Sequence, residues 1–225
     1  AEVAAVETTA DVIRMVGRFE RLGLPSFLQL FVDNDPGDPE SYVVFLEQSG
    51  LGLPDESYYR EERFADIRDK YREFVAAMFP LAGYDESADR TEHVIRLETA
   101  LAGEHWDNVA TRDSQKTYNK LPWAEVAALA KGVDLQTWWQ AIDAPAGAFE
   151  TVVVREPSFI TGLADLLNDQ PLEVWKDWLR WQVIRGSAAY LTSAFSATNF
   201  SFYGTALTGA PKQRERWKRG VSLVE

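Results

Sequence analysis

Apolar residues recur at three- and four-residue steps over most of this chain, so the pattern predicts helices first. In residues 8–22 Val12, Met15, Val16 and Phe19 keep that spacing, with Thr8 or Thr9 as N-cap and Gly23-Leu24-Pro25 as the stop. Phe64, Ile67, Tyr71, Phe74, Val75 and Met78 form a second stripe opposite Arg, Asp and Glu. A third helix is expected from Ser87 to Trp106 through Val94, Leu97, Leu101 and His105, followed by a polar loop from Thr111 to Asn119. Trp123 to Ala130 and Leu135 to Ile142 read as short helices, and Val152 to Val154 as a brief extended run. Helical spacing resumes over Phe159 to Leu167, and after Pro171 through Leu172, Trp175, Trp178, Leu179 and Val183. Pro211 should open a last helix that passes Trp217 and runs to Glu225; with no Gly, Asn or Pro to stop it, the chain is expected to continue.

Only one region alternates in the manner of strands. Phe27 to Val32 and Tyr42 to Leu46 are β-prone and flank Asp33-Asn34-Asp35-Pro36-Gly37-Asp38-Pro39, which predicts a hairpin with a long acidic loop. The fold class is therefore mainly α, a multi-helix domain with one short β-hairpin near the N-terminus. Neither a repeat nor a linker divides it, so residues 1–225 are expected to form a single helical domain.

Composition narrows the partners. With 23 Lys and Arg against 35 Asp and Glu, the net charge of −12 repels a phosphate backbone, so nucleic acid is not an expected partner. No apolar run reaches the roughly 20 residues that span a bilayer, and the first residues lack the layout of a secretory signal. The chain is expected to be soluble, with its compartment left open between a reducing cytoplasm and export. The absence of Cys removes disulfides, thiolate metal sites and a Cys nucleophile.

Candidate chemistry is thin. His93 and His105 are 12 residues apart with no Glu between them in the His-Glu-x-x-His spacing, and on one helix they would lie about 18 Å apart, too far to share an ion. No Gly-x-Ser-x-Gly elbow accompanies Ser49 or Ser187. GLGLPD has Asp55 where a dinucleotide loop needs its third Gly, so it reads as a turn. The acidic pairs Glu61-Glu62 and Asp85-Glu86 read as solvated surface. Trp175, Trp178 and Trp181 could line a groove but match a core stripe better. Asn199-Phe200-Ser201 is a glycosylation triplet of the kind that occurs by chance. No residue is assigned a catalytic, cofactor-binding or metal-binding role.

Four strings carry a resemblance. SGLGLPDESYY (49–59) resembles the Leu-Gly-Leu-Pro-x-x-x-Tyr-Tyr signature of neprilysin-type zinc metallopeptidases, and RDSQKTYNKL (112–121) resembles that family's Arg-Asp-x-x-x-x-Tyr-Asn loop. PLEVWKDWLRW (171–181) is similar to its aromatic helix, and FYGTALTGAPKQRERWKRGVSLVE (202–225) to its closing segment. They follow the family's order across most of the chain. Bacterial members, above all the actinobacterial zinc metalloproteases, are the ones it resembles. Animal relatives usually have Cys where this chain has Gly220, a departure that weakens any carry-over of their membrane anchoring.

The resemblance implies the non-catalytic N-terminal region of a larger two-domain peptidase. The family's His-Glu-x-x-His helix, third ligand and substrate strand match nothing here, and its opening Asn-Gly-x-Trp segment is missing. No cofactor is expected in this piece, with Zn2+ held by the full-length parent, its own catalytic domain as partner, and peptides as the parent's substrates. In relatives this region faces the catalytic domain across a closed chamber, so the implied role is a wall and gate that restrict substrate size. A free-standing peptide- or protein-binding module, or part of a catalytically dead scaffold, are the alternatives.

Overall fold

The computed structural model describes residues 2–221. After a 3-10 turn at Glu2–Ala5 comes helix α1 (Thr9–Arg21), and Thr8 is its N-cap. The Thr8 hydroxyl accepts from the Asp11 N–H at 3.1 Å while the Asp11 carboxylate accepts from the Thr8 N–H at 3.0 Å, a reciprocal capping box. The other helices are α2 (Ser57–Arg60), α3 (Ala65–Leu81), α4 (Ser87–Glu104), α5 (Trp123–Leu129), α6 (Gln136–Ile142), α7 (Pro157–Asp169), α8 (Leu172–Ser187), α9 (Ser193–Asn199) and α10 (Arg216–Val221). Most follow the expected apolar stripes, and the fold is mainly helical.

The departures lie where local pattern is weakest. The acidic stretch expected as a long loop is largely strand: β1 (Leu28–Asp35) and β2 (Asp38–Gln48) pair antiparallel almost to the tip. The reversal is confined to Pro36 and Gly37, because the Asp35 carboxylate accepts the Gly37 N–H at 2.9 Å and closes the turn from within. Nor does the hairpin stand alone. β3 (Asn119–Pro122) and β4 (Thr151–Val154) join it in a four-stranded sheet of order β1-β2-β4-β3, with β2 and β4 parallel. The Thr111–Asn119 loop holds a 3-10 turn at Ala110–Arg112 and ends in β3. α9 runs directly into a π-helix at Phe200–Ala206, so this segment is helical but not regular α-helix throughout. Pro211 sits in a bend, the last helix starts at Arg216, and its expected run to Glu225 passes outside the described residues.

α8 ties the molecule together. Its Val174, Trp175, Trp178 and Leu179 enter the main core with α1, α7 and the inner face of the sheet, whereas Trp181 and Ile184 enter a second core with α3, α4 and the π-helix. All three Trp are essentially solvent-free. Phe27 stacks on Trp178 with centroids 6.3 Å apart, and Trp181 meets Phe74 edge-on at 5.4 Å. The Trp stripe is therefore core, as its spacing implies, and removing any one ring would cost about 3–5 kcal/mol.

Candidate functional site

The histidines part company. His93 Nδ1 lies 2.8 Å from Asp177 on α8, a buried carboxylate that Arg90 and Arg180 also engage. His105 caps the end of α4, and its Nε2–H donates to the Ser49 carbonyl at 3.0 Å. Burial pushes the His105 imidazole down to about 4, so it is neutral at physiological pH. Ser49 and His105 do meet, but through a carbonyl rather than the hydroxyl, so no nucleophile is activated. Among the described residues no group of three or more His, Cys, Asp or Glu could hold a metal ion, and the residues present do not fit a zinc centre. Of the acidic pairs, Glu61 pairs with Arg63 at 2.5 Å and Glu62 is solvent-exposed, while Glu86 precedes α4 in the left-handed conformation. Asn199 and Ser201 straddle the junction of α9 with the π-helix.

The structure does assemble a polar centre around the Gly50–Pro54 turn. Glu98 projects from the apolar face of α4 into the second core and is fully buried. Its Oε2 accepts from the Tyr59 and Tyr71 hydroxyls, each at 2.8 Å. Tyr59 Oη in turn accepts the N–H groups of Gly52 and Leu53 at 3.1 Å, and Trp181 Nε1 donates to Tyr71 Oη at 3.0 Å. From the other side Arg185 donates to the Leu51 carbonyl at 3.0 Å, Tyr203 to the Gly52 carbonyl at 2.9 Å, and Trp178 to the Gly50 carbonyl at 3.3 Å. The backbone polar groups that a buried turn would otherwise leave unpaired are thus taken by side chains from α2, α8 and the π-helix.

Sequence details of the turn follow from this crowding. Gly50 has φ of +99°, open to glycine at little cost. Gly52 is required for a different reason: a Cβ there would overlap the Tyr71 hydroxyl and lie 2.6 Å from its Cζ. Desolvation raises the Glu98 carboxyl, opposed by Arg185 and the two tyrosines. Tyr59 and Tyr71 are pushed well up by burial and by the facing Glu98, so both stay protonated and donate. The arrangement can hold a turn rigid; it offers no group poised for proton transfer to a ligand.

Beside it lies a polar cleft of about 240 Å³, lined among others by Gln48, Asp55, Glu56, His105, Trp106 and Asn108. Its walls are locked to each other: Gln48 exchanges two hydrogen bonds with the Trp106 backbone at 2.7 and 2.9 Å, and Asn108 donates to Asp55 at 2.7 Å. Behind Gln48, the buried Glu156 accepts one backbone N–H at 2.9 Å and is raised to about 7 by desolvation. Sequence reasoning missed Glu98 and Glu156 as buried acids. Glu98 carried a signal, since it occupies an apolar step between Val94 and Leu101; Glu156 carried none.

The turn, Tyr59 and the aromatic helix that closes over it are three-dimensional neighbours, and the strings that contain them are among those that suggested a family. Comparison bears this out: the model of the N-terminal region of peptidase family M13 matches residues 1–225. The chain belongs to peptidase family M13. This M13 chain superposes over its full length on Mycobacterium tuberculosis zinc metalloprotease ZMP1 in its open state, at 39% identity and TM-score 0.95, covering 35% of that chain. The inhibitor complex of the same enzyme gives 0.93 at the same identity and coverage. Human endothelin-converting enzyme 1 is 27% identical over 209 residues, which are 88% of this chain and 27% of that protein. The M13 chain thus spans about a third or less of the length of the proteins it matches. Among its described residues no helix is long and apolar enough to cross a membrane.

Proposed function

We propose that residues 1–225 act as one non-catalytic helical domain of a zinc metalloendopeptidase, and that this domain is the wall and gate of the chamber in which the parent hydrolyses peptide bonds. Zinc and the groups that activate water belong to the parent's remaining polypeptide, which is this domain's partner. The observation that supports the reading is the full-length superposition at 39% identity on a third of a zinc metalloprotease, by a chain whose polar centre at the Gly50–Pro54 turn is committed to holding backbone.

The rigidity of that centre suits the role. A size filter needs an obstacle that keeps its shape, and a turn fixed by Glu98, Arg185 and three tyrosines is costly to deform. The test compares this chain with the parent read from the coding sequence beyond Glu225. The 225 residues alone should bind no zinc and cleave no peptide, while the parent should cleave short peptides in a chelator-sensitive way and spare folded proteins. Chelator-insensitive cleavage by the 225 residues, or a parent without a His-Glu-x-x-His helix, would overturn it.

A further inference from the structure

Arg155 is a partly buried cation that bonds to neither of the acids beside it. It follows β4, and Glu156 after it precedes α7. Its Nε lies 3.7 Å from the Glu47 carboxylate on β2 and 3.8 Å from Glu156 Oε1, both beyond hydrogen-bond range. Nε and Glu156 Oε1 are each sealed from solvent without a hydrogen-bond partner among the described residues. The guanidinium is spent elsewhere, donating from Nη2 to the Thr111 carbonyl at 3.1 Å.

That bond controls a wall. Thr111 lies in the 3-10 turn Ala110–Arg112 and lines the polar cleft together with Gln48, Asp55, His105 and Trp106. The turn keeps its own shape, because Asp107 accepts the Val109 and Ala110 N–H groups at 2.8 Å each. Asn108 ties it to Asp55 across the cleft, and Arg155 ties it to the sheet. Glu156 Oε2 meanwhile accepts the Gln48 N–H, and the Gln48 side chain clamps Trp106. The charges that act on Glu156 are Glu47 and Arg155. Of the other ionisable groups around it, His105 at the end of α4 is neutral and packs edge-on against Phe159, Arg112 is exposed, and Glu104 rests on Gly162 farther along α7.

We propose that Arg155 is a two-position latch on the cleft wall: it holds Thr111 while Glu156 is protonated, and turns to the Glu156 carboxylate when that group ionises. A buried anion is disfavoured where it stands, so ionisation favours the arrangement that supplies it with a cation. A charge-assisted bond closes to about 2.8 Å, which draws Nε about 1 Å towards Glu156. The Thr111 bond is made by another nitrogen of the same rigid fork, so it is given up. Since desolvation raises Glu156 to about 7, the turn is held in mild acid and released in mild base. The latch operates whatever the parent cleaves.

Hydrogen exchange of the full-length protein, read by mass spectrometry at pH 6 and pH 8 and corrected for the intrinsic pH dependence of amide exchange, tests it. The Arg112 and Asp113 amides bond within the turn, and their exchange is expected to quicken about fivefold at pH 8 while α8 is unchanged. Glu156→Gln should fix the slow rate at both pH values, and Arg155→Gln the fast one. A flat wild-type profile, a rise shared by α8, or a rise that survives either substitution would overturn the proposal. Should Glu156→Gln fail to fold, the wild-type profile and Arg155→Gln still decide.

Discussion

Two turns in this molecule are built on one plan and end in opposite electrostatic states. At the hairpin tip a buried Asp35 accepts from the Tyr118 hydroxyl and the Gly37 N–H; in the second core a buried Glu98 accepts from two tyrosines that reach Gly52. Each time a carboxylate, a tyrosine and a glycine lock a reversal. Asp35 also has a direct cation, and the Lys120 ammonium with Tyr118 holds its carboxyl down to about 2. Glu98 has none in hydrogen-bond contact, Arg185 acting only at longer range, and burial drives its carboxyl upward. The difference separates a turn kept in place by charge from one kept in place by packing.

The largest break in the comparison comes from glycine. Gly52→Ala puts a methyl against a Tyr71 ring that is 1% exposed and cannot retreat, so about 4 kcal/mol or outright misfolding is expected in chemical denaturation. Gly37→Ala meets the hydroxyl end of the part-exposed Tyr118, whose Cζ would be 3.2 Å away, and should cost only about 1 kcal/mol. Equal losses would mean that the two turns are equally confined.

Next is the acid itself. Glu98→Ala strands the Tyr59 and Tyr71 hydroxyls in a sealed core and should cost about 3 kcal/mol, whereas Glu98→Gln keeps an acceptor for both and should cost about 1 kcal/mol. A Gln variant as unstable as the Ala variant would show that the negative charge, not the acceptor, holds the centre.

How much of this could be read from sequence follows from the range of each interaction. Helices α1, α3, α4 and α8 were legible because their apolar faces repeat within the element, and the Trp stripe of α8 was rightly assigned to core. The sheet was legible at its hairpin and at Val152 to Val154, the extended run that forms most of β4, but not in its pairing or in β3. β3 and β4 are four residues each and pair across some thirty positions, and the acidic tip looked like a loop because its compensation, Lys120, is 85 residues from Asp35. The motif strings were recognisable without their reason being visible: Tyr59 and Tyr118 are the residues that bridge carboxylate to turn.

Glu156 sharpens the contrast, being a buried acid with one backbone donor and no cation in hydrogen-bond contact. Its folded value of about 7 lies above the ordinary 4.5, so between these values the folded state holds a proton that the unfolded state has lost. Stability from this group is greatest below the lower value and falls as pH rises through the upper one. Glu156→Gln should flatten that decline and gain about 2 kcal/mol at pH 8. A pH profile from denaturant melts unchanged by the substitution would place the titration elsewhere.

Asp35 should show the reverse slope and the smallest effect. Its folded value lies below the unfolded one, so its contribution is complete above the ordinary carboxylate range and is lost only as pH falls towards about 2. Because the tip projects beyond the cores, protonation should loosen the hairpin end locally before the molecule unfolds. Hydrogen exchange at the Val43 amide is therefore expected to quicken in acid while amides in α8 stay protected. Asp35→Asn should produce the same local quickening at neutral pH, since the amide keeps an acceptor for Tyr118 but no longer holds Lys120 by charge. Uniform exchange across hairpin and α8 in that variant would mean that the arm is part of the cooperative core, and the two turns would then differ in chemistry but not in consequence.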